Sequence, residues 1–236
     1  MLAIAHRHRI VLTIAATIIG SLALAGCSGL GLDRSSTRIG SPPYVQGSGK
    51  VASQSRQVGA YHAVSASQGV RVNVATGSPG ITVTAEDNLL SHITTEVVDG
   101  TLRVGVAGSI ETHSPLEVSV VPDGIIDTLS ASTGSTIDAE SLDCGSLAVT
   151  ASTGSTVRAG GRADAVDVRA DTGSTADLRN VESMTATVDA STGSTIRVNA
   201  SGSVTGDCVI GSTVAVHGAA DTSGVSVDTS STISTK

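Results

Sequence analysis

The stretch Ala131-Ser132-Thr133-Gly134-Ser135-Thr136-Ile137 decides the fold. Its first six residues return at Ala151 and at Ala190, and a variant with Asp171 in second place starts at Ala170. The glycines of these phrases, Gly134, Gly154, Gly173 and Gly193, are 20, 19 and 20 residues apart. A degenerate copy puts Gly211 18 residues on, and Asp228-Thr229-Ser230-Ser231-Thr232-Ile233 puts Ser230 a further 19 along. A fixed period of this size marks a solenoid, and it is read before any local motif.

Counting outward from each glycine gives four apolar columns. Three residues before it stand Ala131, Ala151, Ala170, Ala190, Cys208 and Val227; five before it stand Leu129, Val149, Val168, Val188, Gly206 and Val225. Three after it come Ile137, Val157, Ala176, Ile196, Val214 and Ile233; five after it come Ala139, Ala159, Leu178, Val198 and Val216. These columns alternate with polar ones, the period of a strand with one buried face. Each repeat therefore reads as a strand, a corner at Ser-Thr-Gly-Ser, a second strand and a short third side. Leu142 and Val181 mark that third side, and Arg162 and Ser201 interrupt it. The spacing predicts an all-β, single-stranded parallel β-helix, right-handed, with coils of about 18–20 residues. Asp138, Arg158, Asp177 and Arg197 occupy one outward column with alternating sign, which favours this register over a slip by one coil.

Composition agrees. Of 236 residues 39% are hydrophobic, yet there is no Trp or Phe, and Tyr44 and Tyr61 are the only aromatics. The core must be thin and made of Val, Ile, Leu and Ala, side chains that suit pleated sheet. Cys144 and Cys208 fall in different phases about three coils apart, a span beyond disulfide reach, so free thiols are expected.

The N-terminus reads as an export signal. Arg7 and Arg9 precede an apolar run from Ile10 to Ala25. The run ends in Leu24-Ala25-Gly26-Cys27, which resembles a bacterial lipobox. That resemblance implies a signal peptide over 1–26, acylation (palmitate among the chains) of Cys27, and a membrane-anchored protein facing outside the cytoplasm; an uncleaved anchor is the other reading. Losing the two arginines moves the net charge from −7 to −9. So acidic a chain has no electrostatic footprint for nucleic acid. Residues 27–57 have linker composition, with Pro42-Pro43 among Gly, Ser, Arg and Gln, and predict a flexible spacer. The folded domain is expected over 58–236.

Residues 60–126 alternate less regularly, in Val70–Val74, Ile81–Ala85, Thr101–Val106 and Leu116–Val120, with turn signals between them. The run from Ala63 through Gly77, then Ile81-Thr-Val-Thr-Ala-Glu-Asp-Asn-Leu-Leu and Asp99-Gly100-Thr101-Leu102, resembles the opening of the auto-transporter adhesin family, head GIN domain. The resemblance covers about residues 58–236. It implies a parallel β-helical fold on an exported protein and carries no catalytic residues. The family's corner commonly has an Asp after its glycines where this chain has Ser-Thr.

Chemical motifs are sparse. The Ser-Thr-Gly-Ser corners lead into strands, so they are not phosphate loops, which open onto helices. His62, His92, His113 and His217 show no metal-ligand spacing, and neither a metal nor a cofactor is expected. Asp167, Asp171 and Asp189 are the nearest approach to an acidic cluster, with Arg169 among them. They carry the competing reading, a carbohydrate-active lyase or hydrolase of the β-helix type. The leading reading is non-enzymatic: an envelope-anchored adhesin or structural module displaying a hydroxyl face. That face comprises Thr133, Thr153, Thr172 and Thr192 in one rank, and Thr136, Thr156, Thr175, Thr195 and Thr213 in another. The expected partners are the membrane, through the lipid, and a cell-surface protein or glycan. Self-association through the coil at 225–236 is a further expectation, because unpaired strand edges invite pairing.

Overall fold

In the computed structural model, which describes residues 44–236, the repeat becomes a stack of coils. The expected signal segment, Cys27 and residues 28–43 of the expected linker lie outside the described residues. Four long strands, Thr136–Ala151, Thr156–Ala170, Thr175–Ala190 and Thr195–Cys208, run parallel and pair in succession. Separate strands were expected within each coil. Instead each coil is one bending run, and the pairing slips between Ala139 and Leu142 and between Arg158 and Gly160. Such irregularities let a strand bend without losing its ladder.

The inward columns stack as the periodicity requires. Ala66, Ala131, Ala151, Ala170, Ala190 and Cys208 are successive partners, each at most 2% exposed. Val64, Leu129, Val149, Val168 and Val188 do the same two residues earlier. Gly206 interrupts that column, before Val225, for a backbone reason. Its φ is +129°, and a Cβ there would stand 2.0 Å from the carbonyl oxygen of Val188. Cys144 and Cys208 are buried and unbridged. Burial, with Asp127, Asp143 and Asp164 nearby, raises the pKa of Cys144, and burial also raises that of Cys208. Both are therefore inert small core residues.

The chain does not lay down its coils in sequence order. Ala63–Ala66 and Arg71–Val74 flank a corner at Gln68-Gly69 and pair with Thr128–Ala131 and the start of Thr136–Ala151. On their other side lie Thr101–Val106 and Glu117–Val121, later in sequence but further out along the stack. Antiparallel strands then cover that end. Ile93–Val98 lies on Thr101–Val106, Gly80–Glu86 on Glu117–Val121, and Val51–Arg56 on Gly80–Glu86. At the other end, Asp221–Val227 and Thr232–Thr235 pair on one side only.

The expected linker boundary at residue 57 moves accordingly. Val45–Gln46 pairs with Ile110–Glu111, and Val51–Arg56 is a full cap strand. Polar anchors explain why so hydrophilic a segment folds. Glu86 is 0% exposed, and its carboxylate accepts from the Gly49 and His113 amides, both at 2.6 Å, from the Ser114 amide at 3.2 Å and from Thr112 Oγ1 at 3.0 Å. A side chain at Gly47 would meet Glu86 Oε2 at 2.0 Å, so only glycine lets the strap pass. Arg56 donates to the carbonyls of Leu90 and Ile93, closing the 3-10 turn Leu90–His92.

Two outcomes follow from this packing. Ala170→Leu should lower the unfolding free energy by about 1–3 kcal/mol in chemical denaturation, because the alanine column has no room to spare. The Gly49 and His113 amides, foremost, hold the Glu86 carboxyl below its ordinary pKa of 4.5, while burial works the other way. A depressed carboxyl stabilises fully above its ordinary value and loses that contribution as pH falls through the lowered one. Glu86→Gln should therefore lower Tm at neutral pH, with the gap to the native chain closing as pH falls below 4.5. A gap of constant size across that range would refute the ionic anchor.

Candidate functional site

The repeated corner has one geometry throughout. Thr133, Thr153, Thr172 and Thr192 have φ of 51°, 53°, 49° and 53°, and the glycine after each has φ of 69–71°. Two consecutive left-handed residues make a type I′ turn, which glycine satisfies freely and a β-branched residue does not. The corners are themselves bonded along the stack. Gly134 donates to the Thr153 carbonyl, Gly154 to Thr172 and Gly173 to Thr192, each at 3.0 Å. Gly193 continues the line to Ile210, and Gly211 donates to the Ser230 hydroxyl at 3.0 Å.

This geometry separates the two threonine ranks. Thr136, Thr156, Thr175, Thr195 and Thr213 are strict ladder partners at the start of a strand, and all but Thr213 are half-buried. A β-branched residue is favoured there, so their presence is explained by sheet formation. Thr133, Thr153, Thr172 and Thr192 are exposed and sit in the left-handed region. A non-glycine residue there costs about 1–2 kcal/mol, and Asn or Gly fits more easily. Nothing in the core asks for threonine at these positions. The rank ends at Ile210, which has the same conformation and is 61% exposed.

The serines after the glycines are the part that the sequence reading missed. Ser135, Ser155, Ser174, Ser194 and Ser212 are each 1% exposed. Ser155, Ser174 and Ser194 donate through Oγ to the carbonyls of Ala131, Ala151 and Ala170 at 2.7–2.8 Å. Ser135 accepts from the Gly69 amide at 3.1 Å. These hydroxyls tie coil to coil from inside the corner and are closed to any ligand. Parity carried the signal: Ser135 is two residues before the inward Ile137 and so shares its face.

The charged columns are paired. Arg158 meets Asp138 at 3.2 Å and Arg197 meets Asp177 at 3.7 Å, as the alternating ladder predicts. Arg179 also binds Asp177 at 2.6 Å. Burial opposes ionisation of Asp177, and hydrogen bonds and charge from Arg179 outweigh it, so its pKa falls below the usual range. In the acidic cluster, Arg169 lies 3.2 Å from Asp189 and 3.6 Å from Asp167, and Asp171 stands exposed at its corner. The structure pairs Asp167 and Asp189 with Arg169 in solvent and leaves Asp171 out of the pairing, without the apolar pocket that makes a carboxylic acid a proton donor near neutral pH. His62 contacts Asp127 at 3.1 Å and His92 the Ala107 carbonyl at 3.1 Å. Among the described residues no three His, Cys, Asp or Glu gather as a metal set.

Fold and corner together define a class: a parallel β-solenoid with an antiparallel cap, whose repeated element presents hydroxyls on a strained turn. Residues 60–220 match the family described as "Putative auto-transporter adhesin, head GIN domain", and the chain belongs to that family. No curated protein sequence matches the chain. Among solved structures, a putative adhesin from Bacteroides fragilis shares 14% identity with a TM-score of 0.65, covering 81% of this chain and 100% of its own. A putative adhesin from Parabacteroides merdae aligns with a TM-score of 0.47 at 14% identity, over 82% and 99% of the two chains. A putative lipid binding protein from Parabacteroides distasonis gives 0.49 at 13%, over 82% and 100%. At 14% identity the likeness to the Bacteroides fragilis protein is one of fold.

The two hydroxyl classes should respond in opposite senses. Thr153→Asn relieves a left-handed β-branched residue and should raise the unfolding free energy by about 0.5–1 kcal/mol. Ser155→Ala removes a buried hydrogen bond and should lower it by about 1 kcal/mol. Urea denaturation of the two variants checks both signs.

Proposed function

We propose that this chain is a non-enzymatic, envelope-displayed interaction module whose contact face is the rank Thr133, Thr153, Thr172 and Thr192. The observation that carries the reading is strain without a structural purpose: four exposed threonines hold a left-handed conformation that other residues adopt more cheaply. Strain retained on a surface, where packing does not demand it, points toward function. Family membership supports an adhesin at the cell surface or in the envelope. The ion-paired state of Asp167 and Asp189 lends no support to the hydrolase or lyase alternative.

In this reading the lipobox-like Cys27 carries the lipid and tethers the module to the membrane, with residues 28–43 as spacer. The cap from Val45 onward takes up the end of the tether. The threonine hydroxyls then recur at the spacing of parallel strands, about 4.8 Å, and offer a row of donors and acceptors to a partner with its own repeat.

The test uses the full chain on an array of neutral and acidic glycans and extracellular matrix proteins. Changing Thr133, Thr153, Thr172 and Thr192 together to Asn keeps the turn and removes the hydroxyls. Binding to a captured partner should weaken by about tenfold or more with no loss of Tm. Unchanged binding would overturn the assignment of the face. Cys27→Ser should move the protein from the membrane fraction to the soluble one; retention at the membrane would refute the lipid tether.

A further inference from the structure

A cleft of about 310 Å³ opens where the cap meets the first coil. Its walls include Arg56, Tyr61, Pro79, Ile81, Val121 and Asp123. It forms where ladders stop, for Arg56–Ile81 and Gly80–Val121 are terminal pairs. Residues 58–60 and 123–125 then run on outside any strand. Among the described residues, their backbone groups make no backbone–backbone hydrogen bond, so they remain free for a ligand.

Tyr61 is one of two aromatic residues in the chain, and it is the one packed against the core. Its ring is thus held in place at the wall of the cleft. Burial raises the pKa of its hydroxyl, so it stays a neutral O–H donor.

The lining also narrows the ligand. Arg56 is already committed to Gln54, Leu90, Ile93 and Thr95, which leaves no free cation to fix an anion. The net charge of −7 further disfavours anions. An extended peptide recognised by strand addition needs a free edge, and this cleft crosses strand ends. What remains is an aromatic face, a carboxylate and free backbone amides in a volume at the small end of ligand sites, about 300 Å³ and upward. That is the recognition chemistry of a hydroxyl-rich ring with one apolar face.

We propose that this cleft binds a neutral pyranose unit of a glycan, with Tyr61 under the apolar face of the ring and Asp123 accepting from its hydroxyls. This rests on the reading of the chain as an interaction module and adds a ligand class and a site apart from the threonine corner.

The experiment is saturation-transfer NMR on the full chain with maltohexaose, cellohexaose and chitohexaose as probes, irradiating the tyrosine ring protons. At least one probe should bind. Tyr61→Ala should weaken it by about tenfold or more, Asp123→Asn by about fivefold and Tyr61→Phe by about threefold, with Tyr44→Ala unchanged. Tyr61→Phe and Asp123→Asn keep the packing, so they test the site even if Tyr61→Ala perturbs the fold; thermal melts confirm this. Failure of all three probes to bind the native chain overturns the proposal, as does binding indifferent to the Tyr61 and Asp123 changes. Binding lost only on changing the threonine rank to Asn also overturns it, while leaving the interaction reading standing. A chain that captures partners on the array yet ignores these sugars separates the two readings in the same way.

Discussion

The hydrogen bonds that run along the stack hold this protein together. With no Trp or Phe, no single coil can bury a core of its own. Each inward valine or alanine is covered above and below by its counterparts in the neighbouring coils, and the ladders fix that spacing. The weak point of such a stack is the corner, where the strand leaves extended conformation and its ladder would break. Here the Thr-Gly turn keeps it whole, because each glycine amide reaches the carbonyl of the next coil. The buried serine hydroxyl adds a second bond at the same level. Side-chain charge contributes less: the Asp–Arg pairs lie at the surface, are each worth at most about 1 kcal/mol and serve mainly to reject a shifted register.

The same constraint leaves its mark on the surface. An inward serine and an outward strand threonine both have structural reasons to recur, and their repetition says nothing of a ligand. The corner threonines have no such reason. They occupy a conformation that their side chain resists and project into solvent. Repetition alone made all these hydroxyls look alike; the backbone angles sort them.

The stack also needs closing at the end where Thr101–Val106 and Glu117–Val121 lie outermost, and the cap solves that with antiparallel strands and a buried carboxylate. Glu86 gathers three backbone amides and a hydroxyl from two separate segments, so the strap and the 112–114 loop fold as one piece. The cleft beside Tyr61 is a consequence of that closure. It exists because two cap ladders end near one place while the chain turns into the first coil. A uniform solenoid offers flat sides, and concave sites arise where its regularity is interrupted.

The parallel coils, their register and the inward columns were legible in residues 129–236, because a side-chain period of two and a coil period near twenty leave one arrangement that buries every apolar column. Even Cys208 in the alanine column and the Asp138–Arg158 pair could be placed by counting. The order of the first coils was hidden, since no local pattern says that Thr101–Val121 stacks outside Ala63–Val74. That depends on which edges remain free once the chain has doubled back. The strap before residue 57 was hidden for a related reason: its composition is that of a linker, and it is ordered by a carboxylate some forty residues away. Sequence therefore determined the repeating body, where each residue answers to a like residue one coil along. Tertiary structure alone decided the cap, its cleft and the strain at the corner, where unlike segments meet and the backbone has to turn.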